Sequence, residues 1–139
     1  MTESQDQAPA ASESSPGFVH LRLHTEFSIV DGLVRIKPLL ARARELNMPA
    51  IAVTDLANMF GLIKFYSGAI KEGIKPVCGC DVVVRGEEGA ADTRLLLLAK
   101  DREGYLNLSK LISLIYTDNP NRSDASLRLD QLGAFSDGV

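Results

Sequence analysis

The sequence predicts an α/β fold with largely parallel strands. Strand-like and helix-like apolar patterns alternate along the chain, turn residues separate them, and Asn or Gly stands where the helical patterns end. The 139 residues, 45% of them hydrophobic, are enough for one globular domain with a sizeable core. They exclude a collagen-like or wholly disordered chain, and no apolar run is long enough to cross a bilayer.

The first 17 residues differ in composition from the rest. They are rich in Ser, Ala and Gln, with three acidic residues and no Lys or Arg, so we expect 1–17 to be a flexible leader. The predicted domain, 18–139, is then neutral and lacks the basic excess of a surface that grips phosphate. Arg22 is the first basic residue, so we expect no secretory signal. The only two cysteines, Cys78 and Cys80, are expected to be reduced core residues of a cytoplasmic protein.

The first predicted strand follows the leader. Residues 18–24 alternate between apolar and polar side chains, which is the period of a strand. His20, Arg22 and His24 therefore share one face, spaced about 6.5–7 Å apart along the chain.

A helix, a buried strand and a second helix are predicted next. Apolar residues at helical spacing predict a helix over Ile36–Ala43, ended by Asn47. The short apolar run Ala50–Val53 predicts a strand covered on both faces, with Asp55 at its carboxyl end. Residues 62, 65, 66 and 69 form the apolar face of the next helix, which Gly73 ends.

Two further strands are predicted in the middle of the chain. Lys75–Val84 is strand-like but contains Gly79, which we interpret as an interruption with Asp81 just past it. Arg94–Ala99, with four consecutive leucines, predicts a buried strand.

The carboxyl-terminal part is predicted to be helical and then to turn. Asp101 is expected to cap a helix that runs to about residue 116. Its predicted apolar face consists of Tyr105, Leu108, Ile112 and Ile115. A short helix within 127–135 and a turn at 136–138 follow, and Val139 resembles the start of a strand. Because an α/β barrel needs about 250 residues, we expect the chain to be the first half of one.

The candidate site residues are expected at one edge of the sheet. Ligands gather at the carboxyl ends of parallel strands, where His24 and Asp55 fall, as does Asp81 if its strand is interrupted. With His20, these side chains can hold zinc or manganese and activate water for phosphoester hydrolysis. The alternative is structural, with His24 bonded to the loop Thr25–Ser28 and the aspartates capping helices. The residues alone favour this alternative, because an open metal site needs at least three converging ligands.

Four segments resemble a known family. They are FVHLRLHTEFSIVDGL (18–33), MPAIAVTDLANMFGLIKFY (48–66), GIKPVCGCDVVV (73–84) and DREGYLNLSKLIS (101–113). They are similar, in the same order and at similar spacing, to the N-terminal polymerase-and-histidinol-phosphatase (PHP) domain of bacterial DNA polymerase III alpha subunits. The resemblance implies a partial PHP-type distorted (β/α) barrel over 18–139, comprising its first half only.

The resemblance also implies metal motifs, from which this chain departs. The family's His-x-His motif aligns with Arg22 and His24, its Asp-His motif with Asp55 and Leu56, and its Glu with Asp81. The resemblance therefore implies a vestigial metal site of His24, Asp55 and Asp81, filled by Arg22 and Leu56, with no catalytic residue. We expect Arg22 to pair with Asp55 or Asp81. No cofactor is expected in this segment; the alternative is zinc or manganese, and magnesium would belong to the polymerase site of the parent protein.

The function that the resemblance implies is a structural and docking module of a replicative DNA-directed DNA polymerase, a nucleotidyltransferase. Its implied partners are the proofreading exonuclease subunit and other replicase subunits, with DNA contacted through the parent protein. The alternative is a metal-dependent phosphoesterase or proofreading PHP domain, against which Arg22 and Leu56 argue. We expect the isolated chain to be marginally stable, because an incomplete barrel exposes strand edges.

Overall fold

The computed structural model describes residues 17–86, 90–119 and 125–139. Within these residues the chain forms strands and helices in the order α1, β1, α2, β2, β3, α3, α4. The helices are α1 (Ile36–Glu45), α2 (Leu62–Lys71), α3 (Arg102–Thr117) and α4 (Leu129–Ala134). The strands are β1 (Ala50–Val53), β2 (Lys75–Val84) and β3 (Thr93–Leu98). The predicted leader, apart from its last residue, and most of the glycine turn at 86–89 lie outside the described residues.

The three strands form one sheet in the order β1-β2-β3. β1 pairs in parallel with Lys75–Cys78 of β2, and β3 pairs antiparallel with Gly79–Val84. The expectation that Gly79 interrupts the strand is therefore wrong: β2 is continuous, and Gly79 is where its pairing passes from β1 to β3. A Cβ at this position would lie 2.6 Å from the Leu97 carbonyl oxygen, so only glycine allows this close approach. Of the two ladders in the described sheet one is antiparallel, so "largely parallel" is also corrected.

The segment before α1 is extended but is not the regular strand that its alternation predicts. It lies beside β1, with the Ala52 N–H donating to the His20 carbonyl at 2.8 Å and the Thr54 N–H to the Leu23 carbonyl at 2.9 Å. The Leu23 N–H donates to the Thr54 hydroxyl at 2.8 Å. The two acceptor carbonyls are three residues apart while their donors are two apart, and a side chain replaces one backbone acceptor, so the pairing is irregular.

A first apolar core lies between α1, α2 and β1. Its buried members are Ile36, Leu40, Ala43, Ile51, Val53, Leu62, Phe65, Ala69 and Ile74. The predicted ends of both helices are confirmed, since Asn47 and Gly73 adopt positive φ angles of 51° and 73°. Tyr66 was expected on the buried face of α2 but is 49% exposed.

A second apolar core lies between the sheet and α3. Its buried members are Ala57, Cys80, Val82, Val84, Leu97, Leu108, Leu111, Ile115 and Leu127. Asp101 caps α3 as predicted, because its carboxylate accepts the Gly104 N–H at 2.9 Å. The buried face of α3 passes through Gly104, Leu108 and Leu111, so the assignment of Tyr105 to this face is wrong; Tyr105 is 38% exposed.

β3 was expected to be a buried strand, but it is the edge of the described sheet. Leu97 is its one buried residue, and Leu95 is 38% exposed. Four consecutive leucines therefore do not indicate burial on both faces here, because Leu96 and Leu98, on the face opposite Leu97, are only half-buried. No helix of the described residues is long and apolar enough to span a membrane.

Candidate functional site

The predicted site residues lie just beyond the carboxyl end of β1. β2 continues past that end, and Leu56 and Asp81 form an isolated parallel bridge there. The Asp81 N–H donates to the Asp55 carbonyl at 3.2 Å, so β2 and the segment that follows β1 lie side by side. Asp81 therefore lies inside β2 and not past an interruption, but it still reaches the edge at which β1 ends.

Three nitrogen atoms converge on one oxygen of Asp81. Arg22 Nε and Nη2 lie 2.8 and 2.6 Å from Oδ2, and His24 Nε2 lies 3.0 Å from the same atom. The Asp81 side chain is fully buried, whereas that of Arg22 is 51% exposed. The other carboxylate oxygen, Oδ1, is buried and has no hydrogen-bond partner among the described residues. Of the two partners expected for Arg22, the structure has Asp81.

His24 connects Asp81 to a second carboxylate, that of Asp31. Its Nδ1 lies 2.9 Å from Asp31 Oδ1, so the ring stands between two carboxylates. The Ser28 hydroxyl donates to Asp31 Oδ1 at 2.7 Å, and Arg94 donates to Oδ2 at 3.2 Å. The Ser28 hydrogen bond, followed by those from His24 and Arg94, lowers the pKa of Asp31 below its ordinary 3.8. The expected bonding of His24 to the loop that follows it is replaced by these two carboxylates.

The Asp55 carboxylate accepts hydrogen bonds from Thr25, whereas Arg22 pairs with Asp81. Its Oδ1 accepts the Thr25 N–H at 2.5 Å, and its Oδ2 accepts the Thr25 hydroxyl at 2.9 Å. The residue is 2% exposed, and burial raises the pKa of its carboxyl against the opposing effect of the Thr25 donors. By fixing the residue after His24, Asp55 positions the imidazole. Asp55 was expected to cap a helix in the structural alternative, but it bonds the extended segment at Thr25 instead.

Two other candidates are turned to different surroundings. The His20 ring packs edge-on against Phe18, with 4.7 Å between ring centroids. Leu56 packs against the second apolar core and lines a cavity of about 310 Å³. The structure thus separates His20 from the cluster and gives Leu56 an apolar environment.

The two cysteines lie next to the site but are not part of it. Cys80 is buried, as expected, and its thiol donates to the Asp55 carbonyl at 3.2 Å. Burial raises the pKa of this thiol to about 12. Cys78 is only half-buried, and burial raises its pKa as well. Neither shift favours the thiolate, which is the form that acts as a nucleophile or a metal ligand.

The donor atoms present do not fit a zinc or manganese ion. No group of three or more His, Cys, Asp or Glu side chains in the described part of the chain is arranged to hold one. The Arg22 guanidinium lies on Asp81 Oδ2, and both oxygens of Asp55 accept from Thr25. Both nitrogens of His24 face carboxylates. Asp81 Oδ1 is one open donor atom where a catalytic site requires three ligands.

The described residues form an α/β domain with a three-stranded mixed sheet and a guanidinium–carboxylate pair just beyond the end of β1. A solved structure described as a metal-dependent phosphoesterase from Bifidobacterium adolescentis matches with a TM-score of 0.52 and 19% identity, covering 68% of this chain and 31% of that one. An amidohydrolase from Chromobacterium violaceum matches with a TM-score of 0.52 and 19% identity, covering 85% of this chain and 43% of that one. These likenesses confirm the predicted α/β class and the partial barrel.

The sequence match is more specific than the fold. The PHP domain model matches residues 20–139, and the chain belongs to the PHP domain family. DNA polymerase III subunit alpha is 47% identical over 123 residues in Pseudomonas aeruginosa, 49% over 104 in Vibrio cholerae and 40% over 127 in Escherichia coli K12. These alignments cover 88%, 74% and 91% of this chain. The chain spans 9–11% of the length of these relatives.

The candidate site residues predicted from the sequence did not include four that hold the cluster together: Thr25, Ser28, Asp31 and Arg94. The three-residue spacing of Ser28 and Asp31 beside a glycine is a local indication of a side-chain bond within a turn. Arg94 stands 63 positions from Asp31, and no local pattern connects the two.

Proposed function

We propose that the chain is a PHP-domain segment of a replicative DNA-directed DNA polymerase, the DNA polymerase III alpha subunit. In this proposal it acts in DNA replication in the cytoplasm as a structural and docking module. The 40–49% identity to proteins of that name over most of the chain supports the assignment. Nucleotidyl transfer, with its magnesium, belongs to other parts of the parent protein, through which DNA is also bound.

The observation that carries the structural role is the pairing of Arg22 with Asp81. In a metal-dependent hydrolase a carboxylate at this place would coordinate the cation that activates water. Here its Oδ2 is bonded to a guanidinium at 2.6 and 2.8 Å, and that cation is covalently part of the chain. The pair joins the extended segment to β2, and a charged Asp81 buried at 0% exposure depends on it. In this proposal the guanidinium and the carboxylate connect the extended segment to β2 and do not bind a metal.

The partners in this proposal are the proofreading exonuclease subunit and other replicase subunits. The neutral balance of residues 18–139 supports a protein-facing role over a DNA-gripping one. Exposed apolar side chains on the described surface, such as Ile29, Val30 and Leu33, also favour protein contacts.

The second candidate function is a metal-dependent phosphoesterase or a proofreading domain. The observation in its favour is Asp81 Oδ1, which is buried, has no hydrogen-bond partner among the described residues and belongs to the carboxylate that His24 contacts through Oδ2; this oxygen is free to coordinate a cation. It requires Arg22 to leave Asp81, with Asp81 and His24 then free to act as ligands.

Metal analysis and a hydrolysis assay on the same preparation test both candidates. The purified chain is incubated with Zn²⁺ or Mn²⁺, desalted, analysed for bound metal and assayed with p-nitrophenyl phosphate and end-labelled single-stranded DNA. We expect no stoichiometric metal and no release of phosphate or nucleotide above that of a His24→Ala control. Bound metal together with hydrolysis that this control loses would replace the scaffold proposal with the second candidate.

The docking role is tested separately with the purified proofreading exonuclease subunit encoded by the same genome. We expect a complex on size-exclusion chromatography that survives in Arg42→Ala, a surface variant on the outer side of α1. Failure of the two proteins to associate, while the chain remains folded by circular dichroism, would contradict this role.

A further inference from the structure

Residues 29–33 form a loop that presents large apolar side chains to solvent. Ile29 is 82% exposed, Val30 85% and Leu33 93%, and Phe60 beside them is 68% exposed. We call these four side chains the apolar patch. Ile29, Val30 and Phe60 line one cavity, and Leu33 ends the same loop. Grouped exposed apolar side chains mark an interaction surface more often than single exposed leucines do.

The loop that carries the patch is held by its own backbone hydrogen bonds. The N–H groups of Asp31 and Gly32 both donate to the Ser28 carbonyl at 2.9 Å. At its base the Glu26 N–H donates to the Val34 carbonyl at 2.9 Å. The patch is therefore already ordered before any partner arrives, which reduces the entropy cost of binding.

An uncharged groove adjoins the patch. The cavity of about 310 Å³ is lined entirely by uncharged residues, among them Ile29, Leu56, Phe60, Val83 and Tyr116. Charge-depleted surfaces with aromatic residues are typical of the centre of a protein–protein interface. The leucine that stands at the second position of the Asp-His motif thus contributes to this groove.

The surroundings of the patch expose more positive than negative charge. Four cationic side chains contact a carboxylate in the loop, at its base, or joined to it through His24. The cations are 48–78% exposed, whereas the three carboxylates are 0–36% exposed. The cations are Arg22, Arg35, Lys64 and Arg94, and the carboxylates are Asp81, Glu26 and Asp31. The apolar patch therefore has a cationic rim.

We propose that the apolar patch and its cationic rim bind a protein segment that presents apolar side chains flanked by Asp or Glu. Acidic residues complement the exposed guanidinium and ammonium groups, and apolar side chains cover Val30 and Leu33 and enter the groove. A nucleic-acid backbone would satisfy the rim but would leave the patch exposed to water. The inference rests on the docking role proposed above and adds the chemistry of the partner.

The test uses the whole 139-residue chain and three fluorescent probes. They are a short peptide of Leu, Phe, Asp and Glu, the same peptide with Lys in place of the acids, and a single-stranded oligonucleotide. Binding is followed by fluorescence anisotropy at low and high salt. We expect the acidic peptide to bind more tightly than the other two probes, and added salt to weaken it because exposed charges are screened.

Two double variants locate the binding surface. Val30→Ser with Leu33→Ser should weaken binding of the acidic peptide about tenfold or more. Ile63→Ser with Ile70→Ser removes side chains on α2 that are 75% and 57% exposed, and should leave binding unchanged. Both pairs are at the surface, so circular dichroism should show both variants folded.

Several results would overturn the inference. They are no binding of the acidic peptide, equal binding of the lysine peptide, tighter binding of the oligonucleotide, or equal effects of the two double variants. Such results leave the metal and hydrolysis assays untouched. Conversely, hydrolysis with bound metal would refute the scaffold proposal without changing the peptide titration, so the two failures are distinguishable.

Discussion

Replacing Arg22 with Ala removes two of the three donors on Asp81 Oδ2, at 2.6 and 2.8 Å, and leaves His24 at 3.0 Å. Breaking a fully buried ion pair costs about 3–5 kcal/mol, whereas an exposed pair contributes about 0.2–1 kcal/mol. Asp81 is fully buried and Arg22 is 51% exposed, so this pair lies between the two cases. We therefore expect Arg22→Ala to lower the free energy of unfolding by about 2–3 kcal/mol.

Urea denaturation followed by circular dichroism measures this change, provided that the transition is two-state. The matched control is Arg42→Ala, because Arg42 bonds Glu45 at 2.9 Å while both side chains are more than 60% exposed. That control should cost less than about 1 kcal/mol. If Arg22→Ala destabilised the chain no more than Arg42→Ala, the pair would not be structural, and the reasoning that makes it a scaffold would fail.

Three further predictions concern the site and its surroundings. The pKa of Asp31 is lowered in the folded chain, so its ionised form adds stability at pH values above its ordinary pKa of 3.8. This stability is lost below 3.8, as the pH falls through the lowered pKa of the folded chain. The thermal midpoint of Asp31→Asn should therefore decline less steeply on acidification than that of the parent chain. Burial raises the pKa of Cys80 to about 12, so iodoacetamide near pH 8 should label it only after unfolding, as read by mass spectrometry. Gly104→Ala should lower stability by about 1–3 kcal/mol, because its Cβ would clash with the Gly138 carbonyl.

Each of these three predictions has a control or an outcome that would contradict it. For the glycine, Gly133→Ala is the control, since a Cβ there meets nothing within 4 Å and should be neutral or stabilising. For the thiols, the half-buried Cys78 should react before Cys80, and faster labelling of Cys80 would contradict its burial. For Asp31→Asn, an acid profile identical to that of the parent chain would show that the contacts of Asp31 add no stability.

Local features were predictable because their causes are local. The spacing of apolar residues in the sequence predicted α1, β1 and α2. Asn47 and Gly73 were predicted to end the two helices, where a residue with a positive φ angle is common. Asp101 was likewise recognisable as a cap, since its carboxylate bonds an N–H only three residues away. The alternation at 18–24 predicted a strand, but the segment pairs irregularly beside β1, and the Leu23 N–H donates to the distant Thr54 hydroxyl instead of a backbone carbonyl.

By itself the sequence determined the α/β class, the helices that flank β1, and the set of residues from which a site could be made, because residue type and periodicity act over short distances. The tertiary structure alone decided which of them meet. Arg22 and Asp81 are 59 positions apart, and nothing in the sequence ranked Asp81 above Asp55 as the partner. The fold does so because Thr25 takes both oxygens of Asp55, while β2 extends past β1 and brings the buried Asp81 to the guanidinium.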